Sequence, residues 1–253
     1  MPIVKEYEIV FPQLDNSLSQ DKEWVVINYG DDAEKIRLHD YDKIYNIPGL
    51  YEGIFYEHLK CQSPETIVGM FEDMLEKAEF NPAKLRVFDF GAGNGMVGER
   101  VREAGCNFLV GADILSEAKE ATLRDRPEVY DDYLVTDMSA LGVQEIAKLK
   151  ECKFNGLVTV AALGFGDIPP AAFVNAFNLV EEGGWIGFNI KDTFLSDRDR
   201  TGYRNIISEL IDNNLIIHDS KRYRHRYSTS GEELYYQAIV GKKMKDFVIP
   251  SAN

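Results

Sequence analysis

Cysteine is scarce in this chain: Cys61, Cys106 and Cys152 are the only three in 253 residues, and no two form a C-x-x-C pair. That set fits neither a disulfide framework nor a zinc cluster, and reads instead as reduced thiols. Histidine is almost as sparse, and His39, His58, His218 and His225 lack the spacings that bring two imidazoles to one ion, so no metal is expected. Long apolar runs are missing as well. The longest nearly apolar stretch, Gly156 to Gly166, falls well short of the roughly 18 to 20 residues that span a bilayer. The first twenty residues carry acids and polar groups rather than the apolar core of a secretory signal. A cytoplasmic chain with no membrane partner is expected.

Positive charge is in short supply. There are 28 Lys+Arg against 42 Asp+Glu, a formal net charge of −14, and residues 1–80 hold only 7 bases against 17 acids. A phosphate backbone is held by several lysines and arginines acting together, so no nucleic-acid partner is expected. One basic cluster stands out, Lys221-Arg222-Tyr223-Arg224-His225-Arg226. Alternation along a strand would divide it between two faces, as a charged edge strand does to discourage pairing with other chains; recognition of an anionic substrate is the other reading.

What the chain has is a regular succession of elements. Short strands at Trp24 to Asn28 and Lys35 to Leu38 flank the turn residues Gly30-Asp31-Asp32, and an aromatic segment runs from Tyr41 to His58. Ser63-Pro64 opens a helix whose Ile67, Met70, Phe71, Met74, Leu75 and Ala78 recur at helical spacing. From residue 84 strands and helices alternate: strands at Arg86 to Phe90, Phe108 to Ala112, Tyr133 to Thr136, Gly156 to Val160 and Trp185 to Ile190, with helices between them. Short links between such elements predict an α/β fold, a doubly wound, mostly parallel sheet. After a helix at Tyr203 to Asn213, the runs Leu215 to Asp219 and Leu234 to Val240 predict an antiparallel strand pair at one edge.

The first of these strands ends in Val-Phe-Asp-Phe-Gly-Ala-Gly-Asn-Gly, residues 87 to 95. Gly91, Gly93 and Gly95 let the backbone turn tightly and approach a ligand closely. Gly93-x-Gly95-x-x-Gly98, with Asp113 further on, also matches the dinucleotide-binding pattern. Asp89 weighs against that match, because an acid two residues before the first glycine repels a pyrophosphate and attracts an ammonium group.

With these residues in hand, the chain resembles the class I S-adenosylmethionine-dependent methyltransferases over roughly residues 80 to 245. The resemblance implies a Rossmann-like methyltransferase domain at 81–253, preceded by a hairpin and helical lid region at 1–80. It implies S-adenosyl-L-methionine as cofactor and S-adenosyl-L-homocysteine as product. By the same resemblance Asp89, Gly91, Ala92, Gly93 and Gly95 wrap the methionine moiety, Asp113 holds the ribose with Ile114 on the adenine face, Asp137 meets the adenine amino group with Met138 beside the ring, and Ala161 lines the transfer zone. Tyr45 is the lid residue assigned to the cofactor.

Two other functions stay open on the residues alone: an NAD(P)-dependent oxidoreductase, and a protein that binds the cofactor without catalysis. The fourth strand ends in Val160-Ala161-Ala162-Leu163, not in the Asn/Asp-Pro-Pro-aromatic tetrapeptide with which nucleic-acid amino-methyltransferases grip a base. A small-molecule acceptor is therefore expected, with a basic peptide as the alternative for so acidic an N-terminal third. His39, Tyr41 and Asp167 are the candidates for a catalytic or acceptor-holding role, each weighed against a purely structural one. Acceptor atom and oligomeric state are not written in these residues.

Overall fold

A computed structural model describes residues 6–12 and 18–248; the remaining residues, some of them within the stretch expected to form short strands, lie outside it. The chain divides into two compact units, Met1–Gln62 with Arg224–Tyr235, and Ser63–Tyr223 with Tyr236–Asn253. The helix opening at Ser63 thus belongs to the larger unit.

The smaller unit opens with β1 (Glu8–Val10), β2 (Trp24–Tyr29) and β3 (Asp32–Arg37), an antiparallel sheet in that order. Gly30, at φ +64, takes the first central position of the two-residue β2–β3 turn, where a side chain would be strained. Next come α1 (Tyr41–Asn46), the short α2 (Leu50–Glu52) and a π-helical turn at Gly53–His58. Val25, Ile27, Ile36 and Leu38 from the strands and Ile44, Leu50, Ile54 and Phe55 from the helices form one apolar core.

From Ser63 the chain runs α3 (Ser63–Lys77), β4 (Arg86–Phe90), α4 (Met96–Glu103), β5 (Phe108–Asp113), α5 (Ser116–Asp125), β6 (Asp132–Val135), α6 (Val143–Lys150), β7 (Gly156–Leu163), α7 (Pro170–Leu179), β8 (Trp185–Lys191), α8 (Tyr203–Asn213), β9 (Leu215–Tyr227) and β10 (Glu233–Lys243), all in the larger unit except the end of β9 from Arg224 and the start of β10 up to Tyr235. The sheet order is β6-β5-β4-β7-β8-β10-β9, with β4 to β8 parallel and β10 antiparallel to β8. This is the expected doubly wound sheet with its antiparallel C-terminal pair. Its central strands are apolar on both faces because helices cover both. Phe88 and Phe90 pack with Phe154, Phe173, Phe177 and Phe188 on one side, and Val87 packs with Val158, Val240, Ile67 and Phe71 on the other. Strand order reverses between β5-β4 and β7-β8, and such a switch point opens a crevice beyond the carboxyl ends of the strands.

One expectation is corrected. The basic cluster sits in β9, which extends to Tyr227 instead of stopping near Asp219. Lys221 and Arg222 are exposed, but His225 and Arg226 are buried. β9 is the edge strand of its sheet, as the reading of Lys221 and Arg222 expected, but Arg226 is an internal ion-pair partner of Glu23 at 2.6 Å.

Candidate functional site

Asp89, the last but one residue of β4, is 1% exposed. Its Oδ2 accepts the Tyr130 hydroxyl at 2.7 Å, while Oδ1 is buried with no hydrogen-bond partner among the described residues. Burial pushes its carboxyl up to about 7, the Tyr130 hydrogen bond opposes that rise, and the nearby Asp113 charge adds to it. An orphaned carboxylate oxygen inside a fold is unstable on its own and calls for a donor, preferably a cation.

The glycine turn follows directly. Gly91 has φ +75, and a Cβ there would stand 2.6 Å from Ala162 Cβ at the end of β7, so the turn packs backbone-close against that strand. The Gly91 and Ala92 N–H groups both donate to the Ala112 carbonyl, at 2.9 and 3.0 Å. Gly93 N–H donates to Asp113 Oδ2 at 3.0 Å, and its carbonyl accepts from Tyr133 Oη at 2.7 Å and Thr122 Oγ1 at 3.0 Å. Gly95, at φ +87, stands before the first residue of α4. Side chains beneath the turn hold it in shape.

Asp113 ends β5, and its Oδ1 accepts the Leu115 N–H at 3.1 Å. Burial raises its carboxyl above the ordinary range against the pull of these backbone N–H groups. Each oxygen has a further lone pair, as a diol partner requires. Ile114 is 59% exposed beside it. Asp137 follows β6, and its exposed carboxylate turns on Ser139, whose N–H and hydroxyl both donate to Oδ1, at 2.8 and 2.6 Å, and hold the group below its ordinary value. Met138 lies in the apolar core at 1% exposure, away from open surface.

Ala161 occupies an irregularity near the end of β7, where the register with β8 shifts between Thr159 and Leu163. It has φ +55, an uncommon conformation for a residue with a Cβ. Its N–H donates to Asn189 Oδ1 at 2.7 Å; Asn189 Nδ2 in turn donates to Tyr223 Oη at 2.5 Å and Ser63 Oγ at 3.1 Å. Asp167 is exposed in the turn after β7, its N–H donating to the Gly164 carbonyl at 3.2 Å. Beyond it, Phe165 meets Phe194 edge-on at 4.9 Å.

Asp89, Asp113 and Asp137 thus stand at or just beyond the carboxyl ends of β4, β5 and β6, neighbouring parallel strands, as expected. His39, Tyr41 and Tyr45 lie in the smaller unit, where Tyr45 is buried and its ring lies 6.0 Å from Tyr41, itself 5.6 Å from His39. No group of His, Cys, Asp and Glu among the described residues has the arrangement of a metal site. No described helix is long and apolar enough to cross a membrane. Sequence reasoning missed Tyr130, Tyr133, Thr122 and Asn189, which lie in no motif. The one trace of Tyr130 was Gly98, counted toward a dinucleotide pattern, whose missing side chain makes room for the Tyr130 ring.

No protein-family model and no curated protein matches the chain. Solved structures match it in fold. A Thermoplasma acidophilum protein superposes with TM-score 0.51 at 15% identity, covering 79% of this chain and 97% of the other. The N-methyltransferase NodS from Bradyrhizobium japonicum, in complex with S-adenosyl-L-homocysteine, gives TM-score 0.51 at 14% identity over 75% of this chain and 91% of its own. A Pyrococcus horikoshii protein provisionally assigned as an RNA methyltransferase gives 0.51 at 12% identity over 73% and 87%. At such identities the likeness is one of fold: the chain has the Rossmann-like fold seen in methyltransferases.

Proposed function

We propose that this chain is an S-adenosyl-L-methionine-dependent methyltransferase acting on a small molecule. The observation that carries the reading is the buried Asp89 oxygen without a donor, at the strand end that opens into the three-glycine turn. The cofactor's ammonium suits that oxygen, and a pyrophosphate does not. Asp113 supports the ribose diol and Asp137 the adenine amino group. Ile114 supplies an exposed apolar face for the ring, and Ala92 with the three glycines gives the methionine moiety a close backbone. The antiparallel β10 and the role of Gly98 in housing Tyr130 further favour this reading over an oxidoreductase.

Bound there, the cofactor supplies a sulfonium methyl group already activated for displacement. The chain's task is to align an acceptor lone pair with that methyl and to exclude water. The cofactor held there would give up its methyl to the acceptor, whose proton would leave to solvent or to a nearby base. Ala161 and the turn behind it, with Asp167, are the part of the larger unit we assign to the acceptor side. His39, Tyr41 and Tyr45 enter as candidates for a cofactor cover on their sequence pattern alone. Loss of cofactor affinity in Tyr41→Ala or Tyr45→Ala without unfolding would support that role.

The decisive experiment is isothermal titration of the ligand-free chain with S-adenosylmethionine, S-adenosylhomocysteine and NADH. Micromolar binding of the first two, at least tenfold weaker in Asp113→Ala, and none of NADH is the expected result. Binding of NADH alone would return the oxidoreductase reading. Cofactor binding with no turnover across small amines, hydroxyl and thiol compounds, basic peptides and RNA would leave a binding protein.

A further inference from the structure

Tyr130 lies between α5 and β6. Its ring fills space left by two glycines: a Cβ at Gly98 would come within 2.7 Å of Cε1, and one at Gly111 within 3.0 Å of the same atom. Tyr133 braces it edge-on at 5.4 Å. From this seat the hydroxyl reaches Asp89 Oδ2 at 2.7 Å, and Oδ1 is left unpartnered. We propose that Tyr130 is a positioning residue for the cofactor: it fixes and partly satisfies one oxygen of Asp89, so that the other stays anionic for the incoming ammonium group. This rests on the reading of Asp89 as the ammonium's partner.

Among the described residues, the titratable groups that face Asp89 are Tyr130 and Tyr133 from the segment around the start of β6 and Asp113 from β5, and none of these is a cation. Burial and Asp113 both favour the neutral acid, and the Tyr130 hydroxyl opposes them. Its own burial and the Asp89 charge push the phenol far above its usual range, so it acts only as a donor. Without that hydroxyl the neutral acid persists to higher pH, and over that added range the ammonium meets a protonated Asp89 and binding must release one proton to solvent.

The test is the affinity for S-adenosylhomocysteine of the full chain, freed of ligand, measured from pH 6 to 9 for the wild type, Tyr130→Phe, Asp89→Asn and the double variant. The ligand's own ammonium titrates alike in all four. Wild-type affinity should fall as the pH drops through about 7. In Tyr130→Phe that fall should move about one pH unit higher, giving about fivefold weaker binding at pH 7, about tenfold at pH 6 and convergence at pH 9. Asp89→Asn should bind weakly with no such dependence, and Tyr130→Phe should add nothing to it. Gly98→Ala, which pushes the ring off the carboxyl, should repeat the Tyr130→Phe profile if the hydroxyl variant fails to fold. A flat wild-type profile, a Tyr130→Phe curve weakened equally at every pH, or the same loss on the Asp89→Asn background would each overturn the proposal. If the wild type binds S-adenosylhomocysteine at no pH, the cofactor reading itself falls, and this one with it.

Discussion

Asp89 sets a conflict inside a single side chain: its charge suits a cationic ligand, and its burial penalises that charge while the ligand is away. The folded carboxyl titrates near 7 against an ordinary 3.8, so the folded state binds the proton more tightly than the unfolded chain. Its stability contribution is complete below about pH 4 and is lost as the pH rises through about 7. Asp89→Asn should therefore be more stable than the wild-type apoprotein at pH 8, by about 2 kcal/mol, and should lose most of that advantage at pH 5. Urea unfolding at the two pH values checks this; an asparagine variant less stable at pH 8 would show that the charge is satisfied after all. Asp89, Asp113 and Asp137 were legible in the sequence because each stands beside a run of strand-forming residues, where position alone implies a strand end. Tyr130 was not, since its partner lies 41 positions away and no local pattern marks a ring that fits over two distant glycines. Met138 shows the opposite failure: proximity to Asp137 in sequence suggested a ring contact, and the chain turns it into the core.

At the scale of elements, β7 depends on its neighbours for its shape. Ala161 holds a left-handed conformation that costs of order 1 kcal/mol, and the side-chain Oδ1 of Asn189 is what its N–H meets. Asn189, Ser63 and Tyr223 are all buried, and their side chains form one hydrogen-bonded cluster joining β8, α3 and β9 to the end of β7. Asn189→Leu strands the Ala161 N–H and takes the amide donor from two hydroxyls that keep the hydrogen bond to each other, and should cost about 2 to 4 kcal/mol. Asn189→Asp keeps the acceptor, and the two hydroxyls can rotate to donate to it, so it should recover a large part of that loss. Hydrogen exchange at the Ala161 amide separates the two, being fast in the leucine variant and protected in the aspartate one. Equal protection in both would mean that the strand keeps its irregularity without Asn189. None of this was visible beforehand: a nearly apolar run marked β7 from Gly156, but an irregularity depends on a side chain from the adjacent strand. The length of β9 was hidden for a related reason, because its charged residues read as surface until their partners were known.

The smaller unit is assembled from two stretches far apart in the chain, residues up to Gln62 and Arg224–Tyr235. Glu23 and Arg226, both 2% exposed, join them. Glu23 Oε1 also accepts the Thr229 N–H and hydroxyl, and the Arg226 guanidinium donates to the Tyr227 carbonyl at 2.7 Å. Such a pair is legible from neither stretch alone, for each residue reads by itself as ordinary surface charge, and only closure of a loop of about two hundred residues makes them partners. Buried ion pairs gain little over a well-packed apolar pair, yet breaking one leaves a charge that nothing compensates. Glu23→Gln should therefore destabilise the smaller unit by about 3 to 5 kcal/mol, whereas Glu23→Met with Arg226→Met should cost much less. Hydrogen exchange gives the readout at the strand amides of Trp24–Tyr29, which should open in the single variant and close again in the double; the Thr229 amide loses its acceptor with Glu23 and should exchange fast in the double alone. If the double variant is as labile as the single one, the ion pair itself holds the two stretches together and an apolar pair does not replace it.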